Sequence, residues 1–234
     1  MNKPGSSFDP IIPRYLVDTY HWAYLSPRWV PLLDHSFVVN GILWGQSQRL
    51  INEVLKHITP DQVVLQAACV YGHFSHQVVA KLKNTGHLYI VDAAPIQLRQ
   101  TAAKLKSHQP VSYIRHDLTV PLDSLFFETM DTALCFFLLH EVPHDQRHLI
   151  LRNLVATLKP GGKLVIVDYH QPQLWHPLRP LMALIFAHLE PFAPSWLSHG
   201  LGHYLQDLPL QNESQTLLFG DLYQAQTFKK TTQA

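Results

Sequence analysis

The chain has only two cysteines, Cys69 and Cys135, among 234 residues. A disulfide framework is therefore not expected. Two thiols inside apparent core strands suit a reducing compartment and a role as small hydrophobes. Charge is scarce as well. Asp, Glu, Lys and Arg make up 15% of the residues, the net charge is +1, and soluble domains average about 25% charged residues. No basic stripe that would hold a phosphate backbone stands out, so a nucleic-acid partner is not expected. Long apolar runs are also missing. The longest candidate, residues 181–186, falls far short of the roughly 18 residues that span a bilayer. No apolar run follows residues 1–7, so a secretory signal is not expected. These absences point to a cytoplasmic protein. Five Trp and eleven Phe beside so little charge suit contact with the inner face of a membrane or with a greasy substrate, and equally a well-filled core.

What is present reads as one sizeable domain. Residues 1–59 read as an N-terminal unit whose first 46 residues are rich in proline and aromatics: Tyr15, Tyr20, Trp22, Tyr24, Trp29, Phe37 and Trp44, with Pro10, Pro13, Pro27 and Pro31. The prolines forbid a long helix, and the segment reads as a lid of short ones. A helix is expected near 47–56. Over residues 60–170 short apolar strands alternate with amphipathic helices: strands at 63–69, 88–91, 111–115, 132–137 and 163–167, and helices near 75–82, 95–106 and 145–158. Gly86 is expected to cap the first of these helices, and Pro95 to open the second. Residues 171–234 add a helix near 181–189 and a hairpin over 214–230 about Gly220-Asp221. The pattern predicts an α/β fold: a doubly wound, mostly parallel seven-stranded sheet with an aromatic helical lid and a closing C-terminal hairpin.

Ligands of such sheets bind beyond the carboxyl ends of the strands. Asp92, Asp117, His140, Glu141 and Asp168 are all placed there by the expected strands. The turn after the first strand would normally be glycine-rich. Here it reads Gln66-Ala67-Ala68-Cys69-Val70-Tyr71-Gly72, with a single glycine. Asp92 follows that turn by about twenty residues and suits two vicinal ribose hydroxyls, or else caps the helix that Pro95 opens. Asp117 suits the amino group of an adenine with Leu118 on its face, or is an ordinary loop aspartate. Lys159-Pro160-Gly161-Gly162 reads as a left-handed helix stop. His57, His87, His108, His148 and His188 read as surface residues, and His76 as solvent-facing, with the pocket wall as its alternative. Trp22, Trp44, Trp175 and Trp196 suit an apolar lid.

The order of these features resembles the class I methyltransferases that use S-adenosylmethionine, over roughly residues 60–170. The run from Leu158 to Asp168 is similar to their quinone-methylating branch. The wording of the turn, Ala68-Cys69-Val70-Tyr71-Gly72, resembles a narrower family, that of rhodoquinone biosynthesis. So do Tyr20-His21-Trp22-Ala23-Tyr24-Leu25, Phe136-Phe137-Leu138-Leu139-His140-Glu141, Val167-Asp168-Tyr169-His170-Gln171-Pro172 and the run Trp175 to Met182. His73 departs from it, standing where many relatives are expected to carry an acid. The resemblance implies a Rossmann-like fold and conversion of a membrane-derived prenylated quinone, ubiquinone, to rhodoquinone: an amino group replaces a ring methoxy group, S-adenosylmethionine supplies the amine and manganese assists. It implies cofactor contacts at Gln66, Ala68, Val70, Tyr71, Gly72, Asp92, Ala93, Asp117, Leu118 and Phe136, and substrate contacts at Trp22, Tyr24, Trp44 and His170. Tyr71, His140 and Glu141 are the catalytic candidates, and His140, Glu141 and Asp168 the candidate Mn²⁺ ligands. His140 as a general base, or as a wall residue beside a capping Glu141, are the alternatives. Methyl transfer to a quinone or another apolar acceptor, and a non-catalytic binding role, are the competing functions.

Overall fold

A computed structural model of the chain describes residue 9 and residues 11–105 and 110–232; the expected surface His108 and the end of the helix at 106 lie outside them. The lid is a series of short helices, α1 (Arg14–Asp18), a π-helical turn (His21–Leu25), α2 (Val30–Leu33) and α3 (Ser36–Ile42). The prolines set this: Pro31 opens α2, and no lid helix exceeds seven residues. Helix α4 (Ser47–Leu55) follows, burying Leu50, Ile51 and Val54 against the sheet.

The core alternates β1 (Val63–Ala67), α5 (Phe74–Leu82), β2 (His87–Asp92), α6 (Pro95–Lys104), β3 (Val111–Arg115), β4 (Met130–Phe136), α7 (His144–Thr157) and β5 (Leu158–Tyr169). Helices α8 (Arg179–His188), α9 (Ala193–His199) and α10 (Leu201–Tyr204) lead to the hairpin β6 (Leu210–Leu218) and β7 (Tyr223–Lys230). The seven strands form one sheet in the order β3-β2-β1-β4-β5-β7-β6, with β7 antiparallel to both its neighbours and the rest parallel. The expected sheet and hairpin are therefore present. Helices α9 and α10 had no sequence expectation, because their His/Gly-rich stretch carries little apolar periodicity.

The order in which strands are added reverses between the parallel strands β1 and β4, the point where such sheets hold ligands. Central strands covered on both faces explain the continuous burial of Val64, Leu65, Gln66 and Ala67, and of Ala133 to Phe136. Gly86 is not the left-handed cap. Lys83 takes the positive φ (56°), while a Cβ on Gly86 would lie 2.4 Å from the Pro60 carbonyl and 2.6 Å from that of Gln62. The glycine is needed for close approach of two backbones. Lys159-Pro160-Gly161-Gly162 is not the stop of α7, which ends at Thr157 with an extended Leu158; Gly161, at φ 78°, is left-handed within the first residues of β5. Cys69 lies past the end of β1 rather than inside it, whereas Cys135 is buried in β4, and both thiols are free. Trp196 is core, not lid: it is buried, and its indole N–H donates to the Tyr169 carbonyl (2.8 Å). Trp175 is largely exposed. Of the histidines expected on solvent faces, His188 and His76 are exposed. His57, His87 and His148 are half-buried because each has a partner: Thr227 Oγ1, Ser112 Oγ and the Tyr204 carbonyl.

Candidate active site

Two clefts meet at the carboxyl edge of β1 and β4. The first encloses about 680 Å³ of open space among Ala68, Cys69, Asp92, Ala93, Asp117, Leu118 and Phe136, roofed by Tyr15, Leu16 and Tyr24 of the lid. The second encloses about 880 Å³ among Trp22, Tyr24, Val70, Tyr71, Phe137, His140, Glu141, Tyr169 and Glu190. Tyr24, Cys69, Phe136, Phe137 and Glu141 line both.

Polar contacts shape the first cleft. Asp92, at the end of β2, accepts from the Cys69 N–H (2.8 Å) and the Ala94 N–H (2.7 Å). It is thus a local turn-former, while the N-cap of α6 is Ala94 with no side-chain bond. Burial pushes its carboxyl up to about 6, although the two backbone N–H groups favour the charged form. Asp117 Oδ1 accepts from both the N–H (2.9 Å) and the hydroxyl (2.8 Å) of Thr119, which orients it at the cleft beside Leu118.

The turn itself is held from outside. Ala68 has a left-handed φ of 64°, where a glycine would sit unstrained. Its N–H donates to the Val91 carbonyl (2.8 Å), and its carbonyl accepts from Gln66 Nε2 (2.9 Å). Gln66 also accepts from the Ser75 hydroxyl (2.9 Å) and is fully buried. Its amide braces the turn rather than facing either cleft. Gly72 likewise faces neither. Its N–H donates to Asp34 Oδ1 (2.8 Å), and Lys104, paired with Asp34 at 2.6 Å, also reaches the Val70 and Gly72 carbonyls. Val70 and Tyr71 belong to the second cleft. The Tyr71 hydroxyl donates to the Ala23 carbonyl (2.6 Å) and accepts from Gln97 Nε2 (2.8 Å), and its ring stacks on Tyr24 with centroids 5.6 Å apart. Cofactor contacts expected at Ala68, Asp92, Ala93, Asp117, Leu118 and Phe136 thus share one cleft, while those at Gln66 and Gly72 do not join it.

A buried acid–base cluster closes the second cleft. His140 lies in a 3-10 turn (Leu139–Glu141) just past β4. Its Nδ1 meets Asp168 Oδ1 at 2.6 Å, and Nε2 faces Glu141 (3.8 Å) and Glu190 (4.0 Å). Burial disfavours the imidazolium, but Asp168 outweighs it and raises His140 to about 9. Glu141 is raised to about 8 by burial and by the neighbouring Glu190, itself shifted upward. Tyr24 donates to Glu141, and Tyr20 to Glu190 (2.9 Å). Asp168 stands behind His140 and not among the groups facing the cleft. Its oxygens accept from the N–H groups of Leu139, His140 and Tyr169 besides binding Nδ1. The donor set that converges is His140, Glu141 and Glu190, with ligand atoms within 4.8 Å of one another. One imidazole and two carboxylates suit Mn²⁺, with Asp168 as the carboxylate that orients the histidine.

Glu190 had no signal in sequence; it precedes Pro191 in a loop far along the chain. Arg147 and Gln97 were also missed. Buried Arg147 donates to the carbonyls of Leu139, Val142 and Phe192 and to the Tyr204 hydroxyl, so it fixes the segment that carries His140 and the loop after Glu190. A buried arginine on a helix face whose sequence reads as polar looks like a surface residue. Of the expected substrate residues, Trp22 and Tyr24 line the second cleft. Trp44 packs on the core, and His170 donates from Nδ1 to the Asp221 carbonyl (3.0 Å), toward the hairpin.

Residues 64–162 match a methyltransferase domain family. The uncharacterized methyltransferase sll0829 of Synechocystis is 28% identical over 169 residues, spanning 70% of this chain and 74% of the relative. A SAM-dependent methyltransferase from Methanosarcina mazei has the same fold, with a TM-score of 0.59 at 18% identity over 77% of this chain and 97% of that one. The N-methyltransferase NodS of Bradyrhizobium japonicum, solved with S-adenosylhomocysteine, has a TM-score of 0.55 at 16% identity over 88% and 94% of the two chains.

Proposed function

We propose a function for a chain that carries a methyltransferase domain over residues 64–162 on the fold of the class I S-adenosylmethionine-dependent methyltransferases: it uses that cofactor to replace a ring methoxy group of a membrane-derived prenylated quinone with an amino group, turning ubiquinone into rhodoquinone. One observation carries the reading. An aromatic cleft with a buried acid–base cluster opens onto the cleft that holds Asp92 and Asp117. A flat ring bearing oxygens fits walls of Tyr24, Tyr71, Phe136 and Phe137 with His140 and Glu141 at its edge. The family resemblance supplies the identity of the ring.

Ala68, Asp92, Ala93, Asp117 and Leu118 would hold the nucleoside half of the cofactor, where the Asp92 carboxylate would accept from the ribose hydroxyls. When bound, S-adenosylmethionine would supply the amino nitrogen, its own carbon–nitrogen bond breaking as the ring gains one and the methoxy group leaves as methanol. His140, protonated near neutral pH and held at Nδ1 by Asp168, offers its Nε2 proton to the departing methoxy oxygen. Lid residues Tyr20 and Tyr24 hold the two glutamates and cover the ring from water. With Nε2 deprotonated instead, His140 would join Glu141 and Glu190 in holding a manganese ion, which would polarise a ring carbonyl; proton donation and metal binding at Nε2 exclude one another. The enzyme works at the inner face of the membrane, where such quinones dissolve.

Methyl transfer to a quinol or another apolar acceptor is the second reading, favoured by the methyltransferase relatives. Lipid extracts from cells expressing the chain separate the two. An aminoquinone supports the proposal; a methylated quinol without any aminoquinone overturns it. Absence of calorimetric binding of S-adenosylmethionine would overturn both.

A further inference from the structure

A cluster of histidines outside both clefts has no part in this chemistry. His144 begins α7, His199 ends α9 and His203 lies in α10. All three are exposed, and their ring nitrogens converge within 4.8 Å. Ring centroids are 4.4 Å apart for His144 and His199, 5.5 Å for His144 and His203, and 4.9 Å for His199 and His203.

Two of the rings are held by partners. His199 Nδ1 lies 2.8 Å from the Ser195 carbonyl and 3.2 Å from the Ser198 hydroxyl. A carbonyl only accepts, so Nδ1 carries the proton and Nε2 keeps its lone pair. His144 Nδ1 lies 2.8 Å from the Tyr204 hydroxyl, which in turn accepts from Arg147 (2.6 Å). His144 Nε2 is then the ring nitrogen left for a ligand, and no side-chain hydrogen bond among the described residues ties His203. Metal-binding histidines are oriented this way, through a hydrogen bond at the nitrogen opposite the metal.

We propose that His144, His199 and His203 form a surface site for a divalent transition metal of the zinc class, with water completing the shell. Three imidazoles and no carboxylate favour Zn²⁺, Co²⁺ or Ni²⁺ over Mg²⁺ or Mn²⁺. Tetrahedral zinc needs nitrogens about 3.3 Å apart, a closure that exposed side chains make by rotation. The ion would staple α9 and α10 to α7, the helix whose Arg147 holds the segment carrying His140. The site is separate from the His140 cluster and stands whatever the reaction is.

Cobalt is the probe, added to chelator-stripped, tag-free protein and followed by absorption and calorimetry. One equivalent should bind with the strong visible bands of a tetrahedral ion, and the melting temperature should rise with cobalt concentration. The double variant His199→Ala/His203→Ala, folded by circular dichroism, should bind at least tenfold more weakly and lose that rise; Glu190→Gln should keep both. Unchanged binding in the double variant overturns the proposal, as does loss of binding in Glu190→Gln alone, which would place the ion in the cleft. Failure of the native protein to bind overturns it too. Should the double variant unfold, His203→Gln carries the same comparison, with the same outcomes.

Discussion

Asp92 is an acid whose folded environment works against its charge, and in the proposed ribose-binding role that should make cofactor binding pH-dependent. Burial raises its carboxyl to about 6. Only the carboxylate accepts from two hydroxyls at once, so affinity for S-adenosylmethionine should strengthen as pH rises through 6, by about tenfold between pH 5 and 7. Asp92→Asn should flatten that dependence and weaken binding about tenfold to a hundredfold at pH 7.5, read by calorimetry. His140 and Glu141 make a second pH-dependent pair, now for stability. The folded pKa of His140, about 9, lies above its ordinary value, so its contribution is whole below about 6.5 and is lost as pH rises to 9. Glu141, at about 8 when folded, holds a proton that the unfolded chain has released, so it too costs stability as pH rises from about 4.5 to 8. Both slopes fall between 6.5 and 8. Urea unfolding should show the native protein losing stability across that window, and Glu141→Gln should make the loss shallower while raising stability at pH 8.5.

Secondary-structure elements show what was legible in the chain and what was not. The strands of the core, the hairpin and the short lid helices follow from apolar runs, prolines and Gly220-Asp221, which act locally. Asp92, Asp117 and Glu141 were legible because strand ends mark the ligand edge of a parallel sheet. Glu190, Gln97 and Arg147 were not, since their roles arise from contacts between elements far apart in sequence. The turn after β1 was half legible. Its missing glycines were plain, but not the Asp34–Lys104 clamp that replaces their service. Tyr71 joins this turn to the lid through Ala23 and to α6 through Gln97. Tyr71→Phe should cost about 1 kcal/mol in urea unfolding, and unchanged product formation in the folded variant would argue against a chemical role for the hydroxyl. Gly86→Ala should cost more, about 2–4 kcal/mol, because its Cβ would strike the Pro60 and Gln62 backbone, which cannot step aside without moving the entry to β1.

At the scale of the whole molecule, the lid both closes the active site and presents apolar surface. Trp22 and Ile42 line the second cleft, while Leu32 and Phe37, in α2 and α3, are 53% and 80% exposed. No described helix is long and apolar enough to cross a membrane. A prenylated quinone sits in a bilayer, and an enzyme that takes one needs a surface that meets that bilayer next to the cleft. Two exposed side chains of this size, moved out of water, contribute enough to change partitioning tenfold or more. Leu32→Glu/Phe37→Glu should therefore sediment with phosphatidylcholine vesicles about tenfold less than the native protein. Its KM for vesicle-embedded quinone should rise, with calorimetric affinity for S-adenosylmethionine unchanged, because neither residue lines the cleft that holds Asp92. Equal partitioning of the two proteins would mean that the lid's apolar side chains serve the closed cleft alone, and would count against delivery of the proposed quinone through the lid.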